Sequence, residues 1–280
     1  MSNPIADPLV EGLDTDAESQ FVIVDATPEG LATVTINRPE QRNALNAEAV
    51  GALNSAFETL EGADGVRVTF LAGAGEAFSI GPDPQWLQDS ADYTEGELHE
   101  DAMALAVMLK RLHGLPMLTV ALVDGPAIGA GAGLVLACDL AIATERASFA
   151  FAEATHGLVA AVASPYLAAA VGAKRARGLL ATARTLTARE ALAIGLVDEV
   201  VAAAAGFAAA RRRIADDAQA CAPGAVAEAK RIVAHVASRE IDHGLMEETA
   251  RRAARARLSQ EGGEGAAAVL ENRPPAWTAA

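Results

Sequence analysis

Aromatic and basic residues are scarce in this 280-residue chain. Aromatic types make up 4% of it, against 51% for all hydrophobic types, which predicts a core of small aliphatic side chains between closely spaced backbones. The 22 basic residues are outnumbered by 37 acidic ones, so the formal charge is −15. This balance disfavours partners that bind through bulk positive charge, and we expect no nucleic-acid partner and no anionic membrane surface.

Cysteines and long apolar runs are also few. Cys138 and Cys221 are far apart in the sequence, which excludes a disulfide framework and predicts no cysteine-based metal site. The longest apolar stretch, residues 118–143, is interrupted by Asp124 and Asp139. A membrane-spanning helix needs about 20 consecutive apolar residues, so none is predicted.

The N-terminal stretch lacks positive charge. No Lys or Arg precedes Arg38, whereas a signal peptide begins with basic residues. We therefore interpret residues 1–20 as an acidic N-terminal tail and expect a cytoplasmic protein without a bound metal.

Strand-like and helix-like patterns alternate through the first two thirds of the chain, which predicts crossover units around one core. A glycine–alanine turn is predicted over Gly125–Gly133, leading into a short helix that ends at Ala137. From Phe207 onward the pattern is that of three or four amphipathic helices. We predict an α/β core over residues 21–200 and a helical C-terminal section over residues 201–280.

Three conspicuous segments each follow a predicted strand. They are Thr35–Asn46, with the sequence TINRPEQRNALN, Ala77–Asp83, with AFSIGPD, and Val123–Gly133, with VDGPAIGAGAG. Together with later segments, they resemble the enoyl-CoA hydratase/isomerase (crotonase) superfamily. The resemblance covers nearly the whole chain from about residue 20, and the later segments that carry it are Leu136–Asp139, Phe149–Glu153, His156–Leu158, Leu186–Ala191, Gly195–Val197, Glu264–Gly265 and Glu271–Pro275.

The resemblance implies a fold, a substrate class and an assembly. The fold would be an α/β crotonase-like fold of repeated ββα units with a helical C-terminal section. The substrate would be an acyl-CoA thioester of fatty acid metabolism, with no separate cofactor because coenzyme A is part of the substrate. The assembly would be a homotrimer or a dimer of trimers, with the C-terminal helices at the subunit contacts.

The family's oxyanion hole is only partly retained. Chemistry beside a thioester carbonyl passes through an enolate, and each hydrogen-bond donor aimed at its oxygen is worth about 2.7–4 kcal/mol. The family supplies two backbone N–H groups, which the resemblance maps to Ala130 and Pro82. Proline has no N–H, so one donor is lost unless a neighbour such as the Asp83 N–H replaces it.

The family's pair of glutamates is reduced to one. The position of the first glutamate is Gly133, whereas the second is retained as Glu153. One carboxylate can take a proton from one carbon and return it to another, so we predict that Glu153 catalyses double-bond isomerisation, with a pKa raised by desolvation. The family's Pro-Gly-Ala-Gly-Gly motif is replaced by Ala160–Ser164, and we expect the added methyl groups to reshape the acyl pocket.

By resemblance, pantetheine is predicted to run between the segments 42–45 and 80–83. Asp83 is also expected to cap a helix that begins near Pro84. Three alternatives remain open: an enoyl-CoA hydratase with an altered site, a non-catalytic acyl-CoA-binding protein, and an enzyme of a free ketone. The predicted substrate-binding residues are Arg42, Ala44, Leu45, Ile80, Pro82, Asp83 and Gly129.

Overall fold

The computed structural model describes residues 21–278, so the predicted acidic tail over residues 1–20 lies outside the described residues. The strands are β1 (Val22–Ala26), β2 (Leu31–Ile36), β3 (Val68–Gly73), β4 (Leu118–Val123), β5 (Pro126–Ile128), β6 (Leu140–Thr144), β7 (Ser148–Ala150), β8 (Leu186–Thr187) and β9 (Glu199–Val201). The helices are α1 (Ala47–Glu61), α2 (Pro84–Asp89), α3 (Glu95–Gly114), α4 (Ala130–Ala137), α5 (Ser164–Val171), α6 (Ala173–Thr182), α7 (Ala188–Ile194), α8 (Phe207–Gln219), α9 (Pro223–Val236), α10 (His243–Leu258) and α11 (Gln260–Glu271).

Two sheets organise the α/β part. The larger has the strand order β1-β2-β3-β4-β6-β9, and the smaller has the order β5-β7-β8. In the larger sheet, β1 and β2 form an antiparallel hairpin, while the remaining neighbours are parallel. The strands and helices of the predicted α/β fold class are therefore present, and a helical section follows them.

Successive side chains of the central strands point to opposite faces of the larger sheet, and both faces are covered by a hydrophobic core. In β3, Leu71 enters the main core with α1, α3 and α4, whereas Val68 and Phe70 enter a second cluster with α8. This alternation follows from the two-residue period of a β-strand. Because α8 covers one face of the sheet, residue 201 marks a change of secondary structure rather than the start of a separate core.

Local sequence signals begin and end several helices. The side chain of Asn46 accepts a hydrogen bond from the Ala49 N–H at 2.9 Å, which caps α1. Thr94 and Thr187 form capping boxes at the starts of α3 and α7. Gly195 ends α7 with a φ of +78°, a conformation that glycine adopts without a steric penalty.

The segment Gly125–Gly133 differs from its prediction. It holds strand β5, and α4 begins within it at Ala130 instead of after it. The β5 strand pairs with β7 in parallel, and Ser79 forms an isolated bridge with Ala127. Three residues in a glycine-rich context are too few to produce a strand pattern, so this element was not predicted.

None of the helices within residues 21–278 is both long enough and apolar enough to cross a bilayer.

Candidate active site

Two of the predicted substrate-binding segments pair directly through their backbones. The Leu45 N–H donates to the Gly81 carbonyl at 2.8 Å, and the Asp83 N–H donates to the Leu45 carbonyl at 2.9 Å. The Ile80 N–H also donates to the Arg42 carbonyl, at 3.3 Å. The two segments predicted to flank pantetheine therefore lie side by side, and the path of pantetheine along them stays a prediction.

Asn43 fastens this pair to the loop that follows β3. Its backbone has a φ of +57°, a left-handed conformation that asparagine tolerates better than most residues. The buried amide nitrogen donates to the Ala74 carbonyl at 2.8 Å and to the Ala77 carbonyl at 2.7 Å. Its amide oxygen accepts a hydrogen bond from the Arg38 N–H at 2.9 Å. Sequence reasoning did not assign this residue, although an Asn among polar loop residues was an available signal.

Asp83 is engaged by the fold. Its carboxylate accepts a hydrogen bond from the Gln85 N–H at 2.9 Å, so the predicted capping of α2 is confirmed. The same carboxylate pairs with the Arg38 guanidinium at 2.9 Å. Because its backbone N–H is taken by Leu45, Asp83 does not supply the donor that Pro82 lacks.

Gly129 and Ala130 form a tight turn at the start of α4. Gly129 has a φ of +55° and a ψ of −120°, which a residue with a Cβ rarely adopts. Ala130 is the first residue of α4, so its N–H has no carbonyl partner within the helix. A Cβ on Gly81 would lie 3.4 Å from the Ala130 nitrogen, so glycine at 81 leaves this N–H uncovered.

The Glu153 carboxylate lies against this turn. A Cβ on Gly129 would be 2.8 Å from Glu153 Oε1 and 3.6 Å from Pro82 Cδ. The other oxygen, Oε2, is buried and has no hydrogen-bond partner. Burial raises the pKa of Glu153, while a hydrogen bond from its own backbone N–H and the charge of His156 oppose that rise. The predicted rise in pKa thus follows from the structure.

The position of the family's first glutamate, which the resemblance maps to Gly133, is closely packed. Gly133 is buried within α4, and a Cβ there would lie 3.2 Å from Ala163 Cβ and 3.4 Å from Leu109 Cδ1. Ala163 belongs to the alanine-rich segment 160–164, so one of the added methyl groups in that segment covers Gly133. A side chain at residue 133 would therefore require Ala163 to shift.

A cavity of about 400 Å³ opens beside Glu153. Its walls come from the segment after β7 and from α6, and they are mainly apolar. Glu153 and Arg177 are the charged residues in its lining, which also contains Phe151, Ala154, Leu158, Val159, Ala160, Leu180 and Ala181. Its volume is near the lower end of the range of small-molecule pockets, roughly 300–1,000 Å³.

The remaining predicted binding residues differ in their access to a ligand. Arg42 is exposed, and Ile80 and Pro82 are partly buried. Ala44 and Leu45 are each 1% exposed and belong to the buried core. Among residues 21–278, no three His, Cys, Asp or Glu side chains are grouped as a metal site would require.

Several known proteins are similar to this chain. The profile of the family "Enoyl-CoA hydratase/isomerase" matches residues 26–280. A Thermus thermophilus protein named as an enoyl-CoA hydratase is 42% identical over 170 residues, which are 61% of this chain and 67% of that protein. EchA6 of Mycobacterium leprae, also named as an enoyl-CoA hydratase, is 33% identical over 90% of this chain and 97% of its own length. The crystal structure of an enoyl-CoA hydratase from Shewanella pealeana superposes with a TM-score of 0.91 at 30% identity, covering 97% of this chain and 100% of that one.

Proposed function

Because the chain belongs to the enoyl-CoA hydratase/isomerase family and has the crotonase fold, we propose that this enzyme isomerises the double bond of an enoyl-CoA, with Glu153 as its single acid–base group. The observation that carries the proposal is the Glu153 carboxylate, which lies against Gly129 with a buried Oε2 that has no partner. An unpartnered buried carboxyl oxygen costs folding free energy, and it is the atom that a proton transfer requires.

The proposed reaction moves one proton. The Glu153 carboxylate takes it from C2 of a 3-enoyl thioester, and the electron pair of the broken C–H bond moves toward the carbonyl to form a dienolate. The Ala130 N–H, at the positive end of α4, stabilises the developing charge on the thioester oxygen. The protonated Glu153 then returns the proton to C4, which leaves a 2-enoyl thioester. The raised pKa of Glu153 suits a group that must both accept and return a proton.

Hydration is disfavoured by the packing over Gly133. A water molecule has to be held and activated for that reaction, and the position of the family's first glutamate carries no side chain. A Cβ at residue 133 would lie 3.2 Å from Ala163 Cβ and 3.4 Å from Leu109 Cδ1, so a carboxylate side chain there would need these neighbours to shift.

The test compares two substrates. Purified protein is incubated with 3-pentenoyl-CoA and with crotonyl-CoA, and isomerisation and hydration are followed by chromatography of the products. We expect isomerisation to dominate, and Glu153→Gln to lower its kcat by about 10²–10⁴-fold, as for loss of a general acid–base group. Glu76→Gln, at an exposed residue, is the matched control. Rapid hydration of crotonyl-CoA that Glu153→Gln abolishes would contradict the proposed reaction type.

A non-catalytic acyl-CoA-binding protein is the second candidate. It is favoured by the oxyanion position at Pro82, which has no N–H, and by the engagement of the neighbouring Asp83 N–H with Leu45. Calorimetric binding of acyl-CoA without turnover of either substrate would make it the better account.

The family resemblance also leads us to propose a homotrimer or a dimer of trimers. Large apolar side chains lie exposed on or beside the C-terminal helices, including Ile241 at 82%, Leu258 at 87% and Leu270 at 86%. Burial of such side chains against another subunit would remove apolar surface from water. Light scattering on the eluting protein should give three or six times the mass of the chain, and a monomer would contradict the proposal.

A further inference from the structure

We infer that Arg177 selects a short acyl chain that ends in a carboxylate, so that the substrate is the CoA monothioester of an unsaturated dicarboxylic acid. This inference rests on the proposed acyl-CoA function, because it concerns the cavity beside Glu153. Arg177 on α6 provides the cation in an otherwise apolar lining whose acid is Glu153.

Arg177 has no partner within the described part of the chain. It takes part in none of the ion pairs or hydrogen bonds among residues 21–278, whereas Arg184 pairs with Glu190 and Arg189 pairs with Glu145. No Asp or Glu occurs between Glu153 and Glu190, so no acid nearby in sequence can pair with it. The guanidinium is therefore free to bind an anion.

Glu153 is not that anion. Its Oε2 is buried without a hydrogen-bond partner, so Arg177 does not bind it. The charge that opposes the raised pKa of Glu153 comes from His156, and Arg177 is not among the causes. Glu153 and Arg177 thus both line the cavity, and no hydrogen bond or ion pair joins them.

An acid and an unpaired cation in one cavity suit a substrate whose acyl chain passes Glu153 and ends at Arg177. A methyl-terminated acyl chain would meet the apolar walls but form no hydrogen bond with the guanidinium. A terminal carboxylate could pair with the planar guanidinium through two parallel hydrogen bonds, a geometry that arginine favours. The cavity of about 400 Å³ limits such a chain to a short one.

The reaction on this substrate would follow the same proton balance. In pent-3-enedioyl-CoA, the proton leaves C2 beside the thioester and returns to C4 beside the free carboxylate. The product is the 2-enedioyl thioester, and no oxidant, reductant or water is consumed.

The experiment uses two pairs of ligands, and the two members of each pair differ only at C5. Turnover of pent-3-enedioyl-CoA is compared with that of 3-pentenoyl-CoA, and calorimetric binding of glutaryl-CoA with that of pentanoyl-CoA. For the wild type we expect the carboxylate-bearing member of each pair to have the higher kcat/KM or the tighter binding. Arg177→Met should lower the values for this member by about 10–100-fold, as for loss of a charged hydrogen bond, and should leave its partner nearly unchanged.

Two controls separate local from general effects. Arg175→Met removes an exposed arginine from the same helix outside the cavity lining, and it should change neither preference. Arg177→Lys keeps the charge without the planar fork and should retain part of the preference. Because Arg177 is exposed and makes no hydrogen bond or ion pair among residues 21–278, loss of folding is not expected in its variants.

The outcomes distinguish this inference from the proposed function. If glutaryl-CoA binds more tightly than pentanoyl-CoA, and Arg177→Met removes the difference, the inference holds even when no enoyl-CoA is turned over. If 3-pentenoyl-CoA is isomerised and the ligands of each pair behave alike, the isomerase stands and the inference is overturned. Failure of glutaryl-CoA to bind would also overturn it.

Discussion

Placing a glutamate at residue 133 tests whether packing over that position sets the reaction type. The Cβ of such a residue would lie 3.2 Å from Ala163 Cβ and 3.4 Å from Leu109 Cδ1. The first distance is shorter than most side-chain contacts, so Ala163 must move even for a methyl group. Gly133→Glu adds a carboxylate beyond that methyl group, within a buried part of α4.

The expected cost has two parts. Overpacking of a core costs about 1–3 kcal/mol, and burying a polar group without partners costs about another 1–3 kcal/mol. We therefore expect Gly133→Glu to lower the free energy of unfolding by about 2–6 kcal/mol, a large share of the roughly 5–15 kcal/mol of a typical native protein. Gly133→Ala is the control, since its gain in helix propensity, at most about 1 kcal/mol, offsets the close contact.

The assay combines urea unfolding with hydration of crotonyl-CoA. Gly133→Glu should be unstable and should not hydrate faster than the parent. Adding Ala163→Gly removes the atom nearest to the new Cβ and should recover part of the lost stability. A Gly133→Glu protein as stable as the parent that hydrates crotonyl-CoA would refute this reasoning, because it would show that the space exists.

Four further predictions concern the same site and the loop beside it. The isomerisation rate should rise with pH through a pKa above 4.5, since burial raises the pKa of Glu153 and the base must be ionised. Ionising this group costs stability as pH rises, so Glu153→Gln should be more stable than the parent above that pKa, and urea unfolding should show the gain vanish below pH 4.5. Gly129→Ala should lower kcat by about 100-fold in steady-state assays, because its Cβ would lie 2.8 Å from Glu153 Oε1 and displace the carboxylate. Asn43→Ala should cost about 2–4 kcal/mol in urea unfolding, because it leaves buried backbone groups unpaired, and Asn43→Asp should recover part of this by keeping the acceptor for the Arg38 N–H.

Patterns in the sequence were sufficient to predict those elements whose signals lie within a few residues of each other. Asn46 and the apolar helical face that follows it are a local signal for α1, and the two β-branched runs separated by a Pro- and Gly-containing turn are one for the β1–β2 hairpin. Asp83 before Pro84 predicted the cap of α2, which the structure confirms. In each case the cause lies within a few residues along the chain, so the sequence alone contains it.

Contacts between segments that are distant in the sequence could not be predicted from it. The short β5 strand is stabilised by its pairing with β7, and nothing in residues 126–128 signals it. The engagement of the Asp83 N–H with Leu45 depends on how two loops meet, and it removes a substitute donor that the sequence left open. Arg177 is 24 residues from Glu153, and only the folding of α6 brings both to one cavity.

Two departures from the family pattern, the glycine at residue 133 and the alanine at residue 163, are 30 residues apart in the sequence but adjacent in the structure. Where the family motif has a glycine, Ala163 places a methyl group 3.2 Å from the Cβ position of Gly133. The loss of the first glutamate is thus matched by a side chain that fills the space above it, as expected of a repacked site rather than a damaged one. Glu153 meanwhile keeps a buried oxygen without a partner, which a protein that only binds acyl-CoA has no need to maintain against its energetic cost. Compensated packing at one acid position and a costly carboxylate at the other together favour single-acid catalysis over binding alone.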